Sequence, residues 1–378
     1  MYLFKNCEIY APDFLGKKDV LVGGQKILAI ENHLEAPDGW DINVIDGTGL
    51  RMIPGLIDSH VHVAGAGGEG GPATRTPEMK LSEMLMAGVT TVVGCLGTDG
   101  LTRNVDSVLM KAKGLKQQGV TAYIYTGAYQ VPTPTILGDP GKDIAMIEEV
   151  IGTGEIALSD HRSSTPTVTE LIRLAAHSRI GGMLGGKSGI VNIHMGDAEN
   201  PFQPLYSAVE MSELTFKQFL PTHCNRNPYI FEEAKVYGKN GYVDITTGSY
   251  SSYPDDEIKP SEGIRKLLEA GVPLENITMS SDGCGSLPQF DEEGKLLKLE
   301  TASVSSLFEE LRDTVLKENL NLEQALQAVT SNVAGILKLP SKGSIAKDKD
   351  ADLVMIDSHF RIVHLCAKGS LMMRDGKL

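Results

Sequence analysis

The sequence of 378 residues lacks several features that mark particular classes of protein. No apolar stretch approaches the roughly 18 residues of a membrane-spanning helix. The first residues, MYLFKNCEIY, include no basic segment followed by an apolar one, so we expect no secretory signal. Basic residues are not in excess, because 35 Lys and Arg face 49 Asp and Glu, which gives a net charge of −14. Nucleic acids and anionic membranes attract basic surfaces, so this charge excludes a general binder of either.

Cysteine is also scarce, and its pattern excludes two kinds of small domain. The five cysteines are odd in number and widely spaced, and no CxxC pair occurs among Cys7, Cys95, Cys224, Cys284 and Cys366. This spacing argues against a disulfide framework and against a zinc finger built from cysteines. It is typical of a reducing compartment, so we expect a cytoplasmic protein.

The patterns that are present predict an α/β protein. With 41% hydrophobic and 22% charged residues, the composition is that of an ordinary globular chain. Strand-like runs with glycine turns occur at both ends and predict a small β-sandwich domain built from residues 1–52 and 341–378. Between them, over 53–340, eight strand-like runs alternate with helical spacers. This alternation predicts a parallel (β/α)8 TIM-type barrel, whose site lies at the C-terminal ends of its strands.

Potential metal ligands occur at the ends of several of these runs. His60 and His62, in DSHVH, point to the same side of a strand and form half of a zinc-like site. An isolated HxH is better explained by two ordinary histidines, but His194, His223 and Asp282 end three other runs. An acidic residue, Glu155, lies on the fourth run. Together these residues predict a metal centre.

Such a centre indicates hydrolysis of an amide or a similar bond. Two metals about 3.5–4 Å apart are commonly bridged by one carboxylate. A metal lowers the pKa of its bound water to about 7, so hydroxide is available at neutral pH. A nearby carboxylate then takes the proton and passes it to the leaving group, and Asp282 is the natural candidate.

Two glycine-rich motifs fit nucleotide-binding patterns but have the wrong context. GGMLGGKS at 181–188 satisfies the phosphate-loop pattern, which requires a strand before it and a helix after it. Here a helix-like run precedes the motif and the strand-like IVNIH follows it. Gly65, Gly67 and Gly70 fit GxGxxG, but PATRTP does not start a dinucleotide-binding helix. We interpret this second motif as an active-site loop.

Longer motifs extend the pattern to a family. PGLIDSHVH, HMGD, PTHCNRN, SSDGCGS and the terminal GSIAKDKDADLVMID resemble the amidohydrolase superfamily. With GGEGGPATRTPE, VVGCLGTDG, TGAYQVP, SDHRSS and GGKSG, the chain is similar over essentially its whole length to the isoaspartyl (β-aspartyl) dipeptidase family. The resemblance implies a metal-binding barrel and a small terminal β domain. It also implies a dipeptide substrate and a homo-oligomer, whereas the expectation of no nucleic-acid or membrane partner comes from the net charge.

The resemblance further implies a role for individual residues. One Zn²⁺ would be held by His60 and His62 and a second by His194 and His223, with Asp282 as ligand and general base. Tyr129 would polarise the scissile carbonyl. The residues implied to contact substrate are Glu69 for the α-amine, Arg162 and Arg226 for carboxylates, and Gly67, Thr98 and Ser286. An isoaspartyl dipeptide carries one ammonium and two carboxylates, so one carboxylate and two guanidiniums complement it.

The chain departs from the family pattern at Glu155. Many members bridge the metals with a carboxylated lysine at this position, whereas a glutamate provides two oxygens on a shorter side chain. The preceding Gly152-Thr153-Gly154 is one residue longer than the family pattern, and we expect this irregularity to move Glu155 inward. The alternative is a single-metal site in which Glu155 does not bridge.

Three other functions compete with the dipeptidase. A related amidohydrolase acting on a cyclic amide or an N-acyl amino acid would keep the chemistry, but Glu69, Arg162 and Arg226 favour the dipeptide. A non-catalytic scaffold would be expected to have lost metal ligands, and the four histidines and Asp282 are all present. The inverted context of the phosphate-loop motif disfavours a nucleotide-binding protein.

Overall fold

The computed structural model describes residues 1–36, 39–291 and 293–378, and its strands fall into three groups. The N-terminal strands are β1 (Tyr2–Tyr10), β2 (Phe14–Gly23), β3 (Lys26–Glu31), β4 (Asn43–Asp46) and β5 (Arg51–Pro54). The central strands are β6 (Leu56–Val61), β7 (Val89–Gly94), β8 (Thr121–Thr126), β9 (Val150–Leu158), β10 (Ile190–Met195), β11 (Phe219–Thr222), β12 (Val243–Thr246) and β13 (Ile277–Ser280). A hairpin of β14 (Ser286–Phe290) and β15 (Leu296–Thr301) precedes the C-terminal β16 (Leu353–Ile356), β17 (Ile362–Ala367) and β18 (Ser370–Met373).

Helices occupy the spacers between the central strands. They are α1 (Leu81–Met86), α2 (Val105–Gln117), α3 (Pro140–Met146), α4 (Val168–Gly185), α5 (Gln203–Glu210), α6 (Pro228–Tyr237), α7 (Pro260–Glu269), α8 (Ser305–Leu316), α9 (Leu322–Gln327) and α10 (Ser331–Ile336). Side chains cap several of their first turns. Thr167 and Glu170, for example, form a reciprocal capping box that starts α4. Among the described residues, none of the helices combines the length and apolar character needed to cross a bilayer.

The central strands form a curled parallel sheet, which confirms the α/β part of the prediction. Six strands pair in chain order from β6 to β11, and β12 pairs in parallel with β13. Backbone hydrogen bonds link this pair to both edges of the larger sheet: Cys224 N donates to Asp244 O (3.2 Å), and His62 N donates to Gly283 O (2.9 Å). Because all eight strands run in one direction, their C-terminal ends meet at one face.

Strands from both ends of the chain join in a second sheet. Its order is β18-β17-β16-β5-β1-β2-β3, and β4 pairs with β1 in parallel. Apolar side chains such as Phe4, Ile9 and Met355 form its core. This arrangement agrees with a small β domain made from both termini, and the boundaries at 52 and 341 stay a prediction.

The hairpin of β14 and β15 was not predicted. It lies between β13 and α8, and Leu287, Pro288 and Phe290 from its first strand line the large cavity described below. The proline at 288 weakened the strand signal, since proline is confined to edge strands and bulges.

A buried lysine ties the terminal sheet to the parallel sheet, and its removal should destabilise the protein. Lys342 Nζ lies 2.6 Å from Thr121 Oγ1 of β8, 3.0 Å from Asp350 Oδ2 and against the Asp352 carboxylate, and its side chain is 3% exposed. Lys342→Ala should lower the free energy of unfolding by about 3–5 kcal/mol, because it leaves the buried Asp352 carboxylate without a counter-charge. Urea denaturation measures this.

The matched control for this change is Lys26→Ala. Lys26 pairs with the same Asp350 at 2.7 Å, but its side chain is 46% exposed. Lys26→Ala should lower the free energy of unfolding by no more than about 1 kcal/mol, as expected for a surface ion pair. Equal losses in the two variants would show that burial of Lys342 contributes nothing.

Candidate active site

Polar side chains from different strands converge at the C-terminal face of the parallel sheet. They belong to strands or to the residues directly after them: His60 and His62 to β6, Glu155 to β9, His194 to β10, His223 after β11 and Asp282 after β13. The four histidines and Glu155 are at most 4% exposed. The structure therefore brings together all six residues that the sequence predicted as metal ligands.

Glu155 lies at the centre of this cluster and contacts both pairs of histidines. Its Oε2 is 2.6 Å from His194 Nδ1, 3.0 Å from His223 Nε2 and 3.5 Å from His60 Nε2. Its Oε1 is 3.9 Å from His62 Nε2. A carboxylate in this place is suited to bridge two cations, one at each histidine pair.

An irregularity in β9 accompanies this position of Glu155. Thr153 pairs with Val191 and Ile156 pairs with Ile193, so Gly154 and Glu155 together lie opposite the single residue Asn192. Two residues facing one on the neighbouring strand form a β-bulge, which redirects a side chain. The sequence predicted an extra residue before Glu155, and the pairing of β9 with β10 contains an extra residue at this place. The Glu155 side chain points into the cluster.

Asp282 approaches the cluster from the opposite side. Its Oδ1 is 3.0 Å from His62 Nε2 and 3.7 Å from His60 Nε2, and its backbone N donates to His60 O at 3.1 Å. Asp282 and His223 have φ angles of +54° and +60°, which are uncommon for residues other than glycine. Such conformations are concentrated at functional sites, where the surrounding structure holds them in place.

The pKa shifts of Glu155 and His223 suit metal ligands. Burial raises the pKa of Glu155, but the imidazoles around it, first of all His60, hold that pKa well below its usual range. Burial also lowers the pKa of His223, to about 3, which keeps its imidazole neutral. An anionic carboxylate beside a neutral imidazole is a combination that divalent metals bind.

The hydrogen-bonding pattern of the donors fits metal binding as well. His60 Nδ1 donates to Asn192 Oδ1 at 3.0 Å, and His223 Nδ1 lies 2.8 Å from Thr246 Oγ1. These contacts orient the two imidazoles so that their Nε2 atoms face Glu155. In metal sites, the ring nitrogen that does not bind the metal usually makes a contact of this kind. Glu155 Oε1 and Asp282 Oδ1 are buried atoms without a hydrogen-bond partner among the described residues. The residues present therefore fit a metal centre.

A cavity of about 730 Å³ opens over the cluster, and the residues implied to contact substrate line it. Glu69 accepts a hydrogen bond from Ser286 Oγ at 3.1 Å and lies 3.6 Å from Arg162 Nη1. Thr98 Oγ1 is 3.4 Å from the same guanidinium. Gly67 has φ +82°, and a Cβ there would collide with Thr74 O, so this turn of the cavity loop requires glycine.

The second arginine and the tyrosine lie beside His194. Arg226 Nη1 is 3.0 Å from His194 Nε2 and donates to Met195 O at 3.1 Å. The Tyr129 hydroxyl is 2.8 Å from His194 Nδ1, and the Arg162 guanidinium lies 5.2 Å from its ring centroid. Burial raises the pKa of Tyr129 well above its usual value, so its hydroxyl keeps a proton to donate.

Sequence reasoning assigned no role to two residues that the structure places at the cluster. Asp160 holds Arg162 through two hydrogen bonds of 2.9 Å and lies 3.1 Å from His194 Nε2. Cys95 directly follows β7 and lies against His60 and His62. Both stand inside motifs that carried the resemblance, SDHRSS and VVGCLGTDG, and their positions at strand ends were the available signal.

The phosphate-loop motif has the inverted context that the sequence predicted. Most of it belongs to the end of α4, and β10 follows. Lys187 Nζ donates to the carbonyl oxygens of Ile144, Ile147 and Val150, so it is committed to backbone groups. This lysine has no role in holding a phosphate.

Comparison with known proteins identifies the family. Residues 230–376 match the family model described as the amidohydrolase family. A crystal structure of the beta-aspartyl dipeptidase from the thermophilic, keratin-degrading Fervidobacterium islandicum AW-1, in complex with the beta-Asp-Leu dipeptide, is 42% identical. The similarity covers 99% of this chain and 96% of that one, with a TM-score of 0.93. The D-hydantoinase of Thermus sp. shares the fold at 19% identity and a TM-score of 0.72.

Dihydroorotases are among the curated relatives. A dihydroorotase of Streptococcus pyogenes is 26% identical over 212 residues, which is 51% of this chain. The match spans about half, 47%, of the length of that relative. Because the dipeptidase structures match over nearly the full length of both chains at 40–42% identity, the resemblance stated from the sequence is confirmed. The chain belongs to the beta-aspartyl dipeptidase family of peptide-bond hydrolases, within the amidohydrolase superfamily.

Proposed function

We propose that the protein is a metal-dependent dipeptidase that hydrolyses β-aspartyl (isoaspartyl) dipeptides. The observation that carries the proposal is one cavity in which Glu69, Arg162 and Arg226 surround a cluster of four histidines with Glu155 and Asp282. The crystal structure of the relative from Fervidobacterium islandicum, with its beta-Asp-Leu dipeptide, supports this choice of substrate.

The charges in the cavity wall complement those of the substrate. A β-aspartyl dipeptide carries an α-ammonium and an α-carboxylate on the aspartyl unit, and a second carboxylate at its C terminus. Glu69 would pair with the ammonium, and the guanidiniums of Arg162 and Arg226 would take the carboxylates through charge-assisted hydrogen bonds. Gly67, Thr98 and Ser286 would complete these contacts from the walls of the cavity.

The residues of the cluster divide the chemistry between them. His60 and His62 would hold one ion, His194 and His223 a second, and Glu155 would bridge them. When bound, the ions supply a water of lowered pKa and polarise the scissile carbonyl. Asp282 takes the proton of the attacking water and passes it to the leaving amine, and the Tyr129 hydroxyl donates to the carbonyl oxygen as negative charge develops there. Two ions of zinc, a cytoplasmic location and a homo-oligomer stay predictions.

The direct test compares β-Asp-Leu with α-Asp-Leu as substrates of zinc-loaded protein. We expect cleavage of the β-linked peptide alone, and its loss after chelation with recovery on adding zinc back. The reason is that the ammonium lies one carbon further from the scissile carbonyl in the β-linked peptide than in the α-linked one, whereas the free carboxylate is equally far in both. Cleavage of neither peptide by metal-loaded protein would contradict the proposed substrate, and cleavage that persists after complete metal removal would contradict the mechanism.

A change at Glu69 should separate the dipeptidase from the alternative acting on N-acyl amino acids. Succinyl-leucine is β-Asp-Leu without its α-amine, so the Glu69 carboxylate gains nothing from it. Glu69→Gln should lower kcat/KM for β-Asp-Leu by about 10–100-fold, since a hydrogen bond to a charged group contributes about 1.5–3 kcal/mol. The same variant should change hydrolysis of succinyl-leucine little.

Glu78→Gln is the matched control, because Glu78 is exposed and pairs with Lys111 outside the cavity. We expect it to leave the rates with both substrates unchanged. If the native protein cleaves succinyl-leucine as fast as β-Asp-Leu, Glu69 does not recognise an amine, and the acyl amino acid becomes the better substrate.

A further inference from the structure

One buried thiol touches the metal-binding cluster although none of the roles above uses it. Cys95 directly follows β7 and is 0% exposed. Its Sγ lies 3.6 Å from His60 Nε2 and 3.8 Å from His62 Nδ1. These two histidines belong to the same half of the cluster, so the thiol faces one metal position and not the other.

The distance from Cys95 Sγ to His60 Nε2 matches the separation of two ligand atoms on one metal. Zinc binds thiolate sulfur at about 2.3 Å and imidazole nitrogen at about 2.0–2.1 Å, so a tetrahedral ion separates sulfur from nitrogen by about 3.6 Å. One ligand atom from each of His60, His62, Cys95 and Glu155 lies within 4.8 Å of the others. Two nitrogens, one sulfur and one oxygen are donor atoms that zinc binds in proteins.

The Glu155 carboxylate provides an independent observation. Glu155 Oε1 is buried and has no hydrogen-bond partner among the described residues, and Glu155 as a whole is 1% exposed. A buried carboxylate oxygen without a donor is costly unless a cation binds it. The oxygen lies on the side of Glu155 nearer His62, at 3.9 Å from His62 Nε2.

The other cysteines provide a contrast. Cys7, Cys224, Cys284 and Cys366 are also buried, but none of them belongs to a group of potential metal ligands among the residues that the structure describes. Cys224, for example, directs its Sγ to Pro221 O at 3.4 Å. Cys95 also has a carbonyl neighbour, Val61 O at 3.6 Å, so the competing interpretation is a buried thiol that donates to this carbonyl.

We propose that Cys95 is a thiolate ligand of the ion held by His60 and His62. The proposal rests on the metal-dependent function proposed above and deepens it. The thiol proton is released to solvent as the ion binds, and no electron is transferred. A sulfur ligand would make this half of the site prefer zinc or cobalt to magnesium or manganese, because thiolates favour softer metals than carboxylates do.

Cobalt-loaded protein provides the first test, because Co²⁺ reports its ligands by absorption. Visible bands of the ion show that it is bound, and a near-ultraviolet band from sulfur to cobalt appears only when a thiolate is bound. We expect both in the native protein, and loss of the sulfur band with retention of the visible bands in Cys95→Ser. Cys366→Ser, in the terminal sheet, is the control and should keep both.

X-ray absorption of the zinc-loaded native protein identifies the atoms bound to zinc without any variant. The result therefore does not depend on whether Cys95→Ser folds. We expect a sulfur neighbour at about 2.3 Å from zinc. Visible cobalt bands without a sulfur band, and zinc with nitrogen and oxygen neighbours alone, would overturn the role of Cys95 and leave the proposed function intact. No bound metal in either experiment would overturn both.

Discussion

Glu155→Gln should release metal from the cluster and lower kcat/KM for β-Asp-Leu on the order of 10³-fold, because an ion supplies several kcal/mol of transition-state stabilisation. The Glu155 carboxylate contacts His194, His223 and His60 at 2.6–3.5 Å. Glutamine keeps the shape of this side chain but replaces one oxygen with an NH₂ group, which cannot bind a cation. It also removes the negative charge that offsets the repulsion between two divalent ions.

Metal analysis of the purified protein, before and after dialysis against a weak chelator, measures this effect directly. Glu148→Gln is the matched control, since Glu148 lies seven residues earlier and its side chain is 79% exposed. The control should keep the metal content and activity of the native protein. Two ions per chain in Glu155→Gln, with full activity, would show that Glu155 does not bridge.

Most of the parallel sheet was predictable because its signals are local. Many of the central strands are short apolar runs with a polar residue at or just after their end, and several of the helices end near a glycine, such as Gly186 after α4. The arrangement of the eight strands follows from two rules for βαβ units. Consecutive strands usually lie next to each other, and their crossover connections are almost always right-handed. The hairpin at Ser286–Thr301 had no such support, because its pattern includes a proline and precedes no crossover helix.

The metal-binding residues were predictable for a related reason. Parallel strands bring their C-terminal ends to one face, so His60, His194 and Asp282 were expected to meet although they are far apart in sequence. Cys95 occupies an equivalent place after β7, but a lone cysteine does not predict a ligand by its spacing. Only the distances to His60 and His62 distinguish it from the other buried thiols.

Asp160 was missed because its role depends on angles that the sequence does not encode. It lies two residues before Arg162, and adjacent charges of opposite sign are common on exposed loops. In the structure its carboxylate fixes the Arg162 guanidinium through two bonds and also reaches His194 Nε2. This double contact couples the orientation of a substrate-binding arginine to that of a metal-binding histidine.

Asp282→Asn should lower kcat about 10²–10⁴-fold, the usual contribution of a general base, and change KM much less. Asp282 Oδ1 lies 3.0 Å from His62 Nε2, and the side chain lines the cavity and is 14% exposed, so its carboxylate is accessible to an attacking water. Asparagine has nearly the same shape but cannot accept the proton of the attacking water. Since His60, His62 and Glu155 remain, we expect the variant to retain metal.

Two substrates separate the two proton transfers assigned to Asp282. The amine that leaves β-Asp-Leu must be protonated, whereas the p-nitroaniline that leaves β-aspartyl p-nitroanilide is a much better leaving group. The loss of kcat should therefore be smaller with the anilide, because only proton removal from water is still impaired. Asp255→Asn, at an exposed site outside the cavity lining, is the control and should leave both rates unchanged. An equal loss of kcat with both substrates would show that Asp282 takes part only in proton removal from water. A loss of kcat that merely follows a lower metal content would show that Asp282 is a metal ligand and not a base.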